Sequence, residues 1–509
     1  MKIKFWRLLF TLLILNPFFA YTKTINPLDY GLLDARTGED RFWALYKTHE
    51  LACMQHWKVS YKGITRIDID IPSNAKSIPL SDNSDFCNTQ FIVTNTKKKN
   101  FYLFVLSQNA KPVTVTKKMI DASDFRSVKE LRYGKKLLII EDKNPWVVNR
   151  TGRNYGVTRR DVMLLRRGCA INKTISPYDN DFSFPLCTFV DVSNKKKVFK
   201  GISFLRTADS SEKTYLLKIN NQNNVILEGL RIITPEPISM SGDVAIMVEN
   251  CTRVYFSNIV IDGTYSFTNE FGYGIALNNV WDSYFDNIES KTAWGVFGNN
   301  NVNTVHMKNS NVNRFDAHCY ARDFTFTDCE FSLVGLNQSS FMGDLVFDHC
   351  LFNNAMVCDS RYDYNAYTPF TITISNCTIF PDKRHASLVR LGEVPLISNS
   401  RSELQQKYSP SIVVKETKVV LDEQTSSFYL YQLGFNSGDH PIDHWGRITV
   451  ENLKIVGKDK KMMIVNRAVE SNDEAIIETK GVEFDSIDSG AGQVEVARRI
   501  IVNLKSRRQ

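Results

Sequence analysis

Arg314, Asp316, His318, Tyr320 and Arg322 occupy alternate positions of one short stretch. Alternate residues of a β-strand share a face. A carboxylate, an imidazole, a phenol and two guanidinium groups would then converge. Such a set can move a proton through His or Tyr and neutralise an anionic substrate through Arg. On this reading Asp316, His318 and Tyr320 point outward and Ala317 and Cys319 inward. A stacked ion-pair ladder is the structural alternative. His and Tyr are poor choices for a purely structural ladder, which tips the reading toward chemistry.

Three comparable strands precede this one, at residues 245–249, 274–278 and 295–299. Alternation turns Ile246/Val248, Ile275/Leu277 and Val296/Gly298 inward. It leaves Ala245/Met247/Glu249, Gly274/Ala276/Asn278 and Gly295/Phe297/Asn299 outward. A short repeat positions these strands. It reads apolar, any, turn residue, apolar, as in Phe256-Ser-Asn258-Ile and Phe347-Asp-His349-Cys. The turn residues are Gly201, Gly229, Asn258, Asn287, Asn309, Asp328, His349 and Asn376, with weaker copies at Glu416, Asn452 and Gly481. Gly and Asn tolerate left-handed backbone, so each is a corner between two short strands. Phe199, Leu227, Phe256, Phe285, Met307, Phe326, Phe347 and Ile374 all stand two before a corner and form one inward column. Repeats of this length with one shared inward set imply a solenoid. Leucine-rich and propeller signatures are absent. The fold expected is all-β, a right-handed single-stranded parallel β-helix.

Corner spacing places further candidates beside the strand. Asp262, Lys291 and Asn313 follow their corners by four residues, and Tyr265, Trp294 and Asp316 by seven. Adjacent coils lie ~4.8 Å apart, so these residues can line one groove. Lys291 is a candidate base. Arg322, Asp262, Glu270, Tyr273, Trp294 and Asn299 are candidate substrate contacts, with Glu270 in a loop at residues 264–274.

At the front of the chain, residues 34–60 carry helical spacing of Phe42 and Leu45. Ile67-Asp-Ile-Asp-Ile71-Pro72 is an alternating strand. A helix here covers the open end of the solenoid. With Asp29-Tyr-Gly31, that strand and the Asn-Ile and Asn-Cys corners, the chain resembles the pectin-lyase-like superfamily, which includes pectate lyases, polygalacturonases and phage tailspikes. The resemblance covers most of the chain and is one of architecture. It implies a polysaccharide partner. It transfers no catalytic residue, because the Gly-His-Gly and Arg-Ile-Lys signatures of polygalacturonases and the Asp-rich Ca²⁺ pocket of pectate lyases are missing.

Residues 1–20 combine a basic start (Lys2, Lys4, Arg7), an apolar run and a small residue at Ala20, the pattern of a signal peptide. The mature chain is expected to be secreted or periplasmic. No lipid-anchor Cys stands at the cut, and no later apolar stretch has spanning length. Residues 21–71 then form the cap, 72–195 the first coils with basic loops, 196–490 the main solenoid and 491–509 a tail.

The chain has 509 residues with 43% hydrophobic and 23% charged, which excludes disorder, collagen or coiled coil as a description of the whole. Net charge is +8. Residues 126–173 hold thirteen Lys/Arg against four Asp/Glu, so that segment carries the excess. It includes Arg150, Arg153, Arg159, Arg160, Arg166 and Arg167. Contact with an acidic polysaccharide is the functional reading, and a solvated surface the bland one. Nucleic acid is not an expected partner, as no recognition motif is present.

Ten Cys in an exported chain suggest disulfides, yet Cys329, Cys350 and Cys377 share one inward position. They read as a buried ladder, which leaves Cys53–Cys87 and Cys169–Cys187 as disulfide candidates. Asp439-His440-Pro-Ile-Asp443-His444 and Asp179-Asn-Asp181 are weak metal signals. No cofactor is required, and Ca²⁺ is retained as a candidate ion. The His/Tyr/Arg mixture favours a lyase, which abstracts the proton beside a uronate carboxylate. A hydrolase using Asp316 with Asp262, Glu270 or Asp344 is the alternative, followed by a non-catalytic glycan-binding scaffold.

Overall fold

The computed structural model describes residues 23–98, 100–147, 157–175, 186–206, 214–238, 243–265, 272–290, 295–339, 341–360, 370–381, 386–391, 408–423, 425, 427–433, 444–457, 461–465, 476–485, 494–495 and 503–504. Twenty-nine described strands join in one continuous sheet system whose pairings are parallel, wound as a right-handed β-helix.

The corners set its pitch. Gly201, Gly229, Asn258, Asn287, Asn309, Asp328, His349, Asn376, Glu416 and Asn452 all have φ between 45° and 70°. The column two residues earlier stacks in register from Phe199 through Leu227, Phe256, Phe285, Met307, Phe326, Phe347 and Ile374 to Val414 and Val450, all buried. Phe256 and Phe285 stack with ring centroids 4.6 Å apart and planes 4° apart. Corner amides bond up the stack, as from Asn287 Nδ2 to Asn258 Oδ1 at 2.8 Å.

The column one residue after the corner is less apolar in its behaviour than its burial suggests. Ser310, Cys329, Cys350, Cys377 and Thr417 each donate to the carbonyl two residues back, at 2.7, 3.3, 3.4, 3.1 and 2.8 Å. The thiols therefore fill small buried space and also satisfy corner carbonyls. Neither expected disulfide forms, since Cys53, Cys87, Cys169 and Cys187 are all free. Cys169 sits beside Arg166 on an edge strand and Cys187 beside Ile140, three strands away in the same sheet.

A second corner column holds Asn221, Asn250, Asn279, Asn301 and Tyr320, all at positive φ. Tyr320 is thus a corner residue with a buried ring. The expectation that it shares an outward face with Asp316 and His318 is incorrect. The chain turns between them, which ends the alternation.

The helix Gly38–Gln55 is started by a capping box between Thr37 and Asp40 and covers the first coils. It buries Phe42, Ala44, Leu45, Ala52 and His49, and the strand Arg66–Ile71 follows. His49 Nε2 meets the Tyr61 hydroxyl at 2.7 Å in the cap core.

Residues 111–191 also build a five-stranded antiparallel sheet, inserted between the solenoid strands Phe101–Ser107 and Lys197–Arg206. One face of it buries Phe125, Leu138, Ile140 and Met163. The other buries Leu137, Ile139, Val162 and Leu164 against Trp281 of the solenoid. Part of the local positive charge is paired within the sheet. Arg159 pairs with Asp161 in the interior at 3.5 Å, and Arg160 with Glu141 at 3.0 Å. Arg150 and Arg153 lie outside the described residues.

Burial holds the His49 imidazole down at about 3. The unfolded chain takes up this proton near pH 6.5, whereas the folded one does not. The stability tied to neutral His49 is therefore present above about pH 6.5 and is lost as pH falls toward about 3, by up to ~1.4 kcal/mol per unit. His49→Gln should narrow its deficit against the native chain between pH 7 and 4 in urea denaturation. A constant deficit would contradict the buried neutral imidazole.

Candidate functional site

The strand Asn311–Ala317 leaves its corner with Phe315 and Ala317 in the core and Arg314 and Asp316 on the opposite face. The next residue but one, His318, lies between that strand and Cys319–Thr327. Register supplies the floor beside them. Ala276 pairs with Gly298, and Phe297 pairs with Phe315, which carries Gly298 alongside Asp316. Two small residues thus leave open space on the earlier coils. Tyr273, at the start of the strand Gly272–Ser290, crosses that space.

Three groups converge on one oxygen, Asp316 Oδ2. They are Arg314 Nη2 at 2.5 Å, the Tyr273 hydroxyl at 2.9 Å and His318 Nε2 at 3.3 Å. The Tyr273 oxygen is also 2.9 Å from His318 Nε2. One phenolic proton cannot serve both partners. The consistent assignment has Tyr273 donating to the carboxylate and accepting from His318 Nε2–H. Asp316 is fully buried and Arg314 is 7% exposed, while His318 keeps 14% of its surface. The guanidinium beside this carboxylate offsets the cost of burying its charge. The imidazole and phenol are the parts that reach outward.

The other expected residues divide. Tyr273 belongs to the cluster as a hydrogen-bonding member, where the sequence suggested a stacking ring. Arg322 does not belong. It donates to the Ile175 carbonyl at 3.0 Å and to Asp323 at 3.1 Å, on the flank that docks the antiparallel sheet. Asn299 pairs in register with Leu277 and with no member of the cluster. Asp262 is exposed, and the residue two before it, Val260, pairs with Glu289 and Glu289 with Asn311, an offset that leads from Asp262 toward Asn313 rather than Asp316. Asp344 is exposed on a different strand, Phe341–Asp348. Lys291, Glu270 and Trp294 lie outside the described residues, as do Asp179, Asp181, Asp439, His440 and Asp443. His444 is described and stacks on Tyr408. Among the described residues no His, Cys, Asp or Glu group has the arrangement to hold a metal.

Sequence reasoning missed the continuation of the site. Asp316 pairs in register with Asn337, Asn337 with Asp359, Asp359 with Arg390 and Arg390 with Gln432. The first four are wholly or largely buried or paired. Arg390 grips both oxygens of Asp359 at 2.9 and 2.5 Å. The signal was faint, because irregular loops separate these strands and no repeat motif marks them.

No protein-family model matches the chain, and no curated protein is similar to it in sequence. Solved structures do match its fold. The tailspike gp49 of Pseudomonas phage LKA1 superposes with a TM-score of 0.54 at 12% identity, over 92% of this chain and 78% of its own. The tailspike Gp54 of Acinetobacter baumannii bacteriophage AP22, solved with a capsular saccharide, gives 0.51 at 10% identity, over 91% and 79%. The tailspike gp61 of Pseudomonas phage phi297 gives 0.50 at 11% identity, over 94% and 77%. The chain shares the parallel β-helix fold of these tailspikes. At these identities the likeness concerns fold and not chemistry.

Removing Arg314 would leave the Asp316 charge buried without its main partner, a loss of about 3–5 kcal/mol. Arg314→Ala is expected to be that destabilised in denaturant titration, and adding Asp316→Ala should recover part of the loss. An Arg314→Ala protein as stable as the native one would refute the buried pair.

Proposed function

We propose that this chain is an exported, polysaccharide-active enzyme that cleaves an acidic glycan by β-elimination at the Asp316 cluster. One observation carries the reading, the convergence of Arg314, Tyr273 and His318 on Asp316 Oδ2. In the proposed step the Tyr273 oxygen takes the proton beside the uronate carboxylate. Its own proton passes to Asp316 along the existing hydrogen bond. The C–H electron pair forms the new C=C bond, and the C–O bond to the leaving sugar breaks. His318 enters the step as imidazolium, gives one proton to the leaving oxygen and becomes neutral, and the proton left on Asp316 is returned to solvent as His318 is reprotonated after product release. Arg314 keeps Asp316 ionised and ready to accept.

The glycan substrate class is supported by the β-helix fold shared with a tailspike that binds a capsular saccharide. Export is supported by the character of residues 1–20. Among the described residues no helix is long and apolar enough to cross a membrane.

A hydrolase is the second reading, favoured by one specific observation. Asp316 and Asp359 occupy the same column two coils apart. Two coil spacings amount to ~9.6 Å, at the upper end of the separation used by inverting glycosidases, ~6.5–9.5 Å. Both carboxylates are already engaged by Arg, which suits acceptors better than a general acid. That places elimination ahead of hydrolysis.

With an acidic polysaccharide that the protein cleaves, ultraviolet absorbance of an unsaturated product should rise with turnover. Tyr273→Phe and His318→Ala should each lower kcat by ~10²–10⁴ while the circular dichroism stays native. New reducing ends without absorbance, lost in Asp359→Asn, would instead establish hydrolysis.

A further inference from the structure

A concave surface lies on the later coils, away from the Asp316 cluster. It has a volume of about 530 Å³, within the range of small-ligand sites. Its walls come from the starts of four successive coils. Gly343 pairs with Phe370, and Asp344 with Thr371 and then Ser411, while the segment before Ile448–Val456 closes the far side.

The aromatic lining is fixed by the backbone. Tyr408 and His444 form a parallel bridge, and their rings stack at 4.7 Å and 20°. The Gly446 amide bonds the Ser409 hydroxyl at 2.9 Å, and the Arg447 amide bonds Ser411 at 3.1 Å. A side chain at Gly446 would meet the Pro410 carbonyl at 2.3 Å, so only glycine allows the two segments this close. Trp445 is held edge-on to the buried Tyr431 at 5.6 Å. Around these rings stand Asp344 and Arg447, both exposed.

Rigid rings beside an exposed acid and guanidinium match the two-sided nature of a sugar. Its C–H faces pack on aromatic surfaces, and its hydroxyls bond to carboxylate and guanidinium groups. We infer that this groove is a second saccharide-binding site that holds a segment of glycan without cleaving it. The inference shares the glycan class with the proposed function but uses none of its reactive residues. The groove's contribution is retention of a long chain, by linking two binding events on one polymer.

The test uses the full chain carrying Asp316→Asn, probed on an array of immobilised acidic and neutral bacterial polysaccharides. Tyr408→Ala, Trp445→Ala and Arg447→Ala are compared in that background, with thermal melts to identify misfolding. Arg447 and Tyr408 serve if Trp445→Ala fails to fold. The expected result is at least a tenfold loss of binding to the glycans captured. In the unsubstituted background, turnover of a short oligosaccharide should change less than twofold. The inference is overturned if no arrayed glycan binds, or if binding survives in the folded variants. Loss of binding in a protein that shows no turnover would sustain the groove and refute the reactive cluster, so the two readings fail separately.

Discussion

The left-handed corner is the constraint on which the structure depends. Ten residues from Gly201 to Asn452 hold φ between 45° and 70°, a region most side chains avoid. Each corner ends one strand and starts the next at a set position, so successive coils stack without slipping. Phe256 lies on Phe285 and Phe326 on Phe347 because their corners coincide. The continuous apolar column, and not any local propensity, then holds the parallel strands together. The cap helix and the docked antiparallel sheet close surfaces that the stacking leaves open.

The candidate site is a consequence of that register. Shortening the intervals from Asn287 to Asn309 to Asp328 brings Asp316 beside Gly298, leaving room for Tyr273 to cross from an earlier coil. No member of the cluster is a sequence neighbour of Tyr273, and the contact exists because coil height is uniform. Tyr320 shows the cost. It occupies a corner where earlier coils have Asn, and a bulky residue at φ 54° stores strain of about 1–3 kcal/mol next to His318. Backbone strain of this kind is tolerated where surrounding packing dictates it, and it gathers at functional sites.

Much of this was legible in the sequence. The corner residues, the inward column from Phe199 to Ile374 and the cap helix follow from turn chemistry and period-two alternation. The buried cysteines follow from their shared phase after the corner. The site was legible only in part. Arg314, Asp316 and His318 share a short stretch, and spacing alone finds them. Tyr273 was visible as a groove residue, but its partners lie two coils on. Asp359 and Arg390 follow loops of irregular length, so nothing local announces that they continue the Asp316 column. Tyr320 was misplaced for a plain reason. Alternation holds only within a strand, and one corner or one slipped residue reverses the faces. The antiparallel sheet was hidden by its charge. Arg159 reads as a surface group, yet it pairs with Asp161 inside the fold.

The account stands on Tyr273 and Asp316 acting as one proton-transferring unit. A double-mutant cycle of Tyr273→Phe and Asp316→Asn on kcat/KM of glycan cleavage tests this most directly. Residues that act as a unit are strongly non-additive, so the double variant should be no slower than the slower single variant. If the two losses multiply as independent effects, or if neither substitution slows cleavage, the hydrogen bond between them is structural and the reactive centre lies elsewhere.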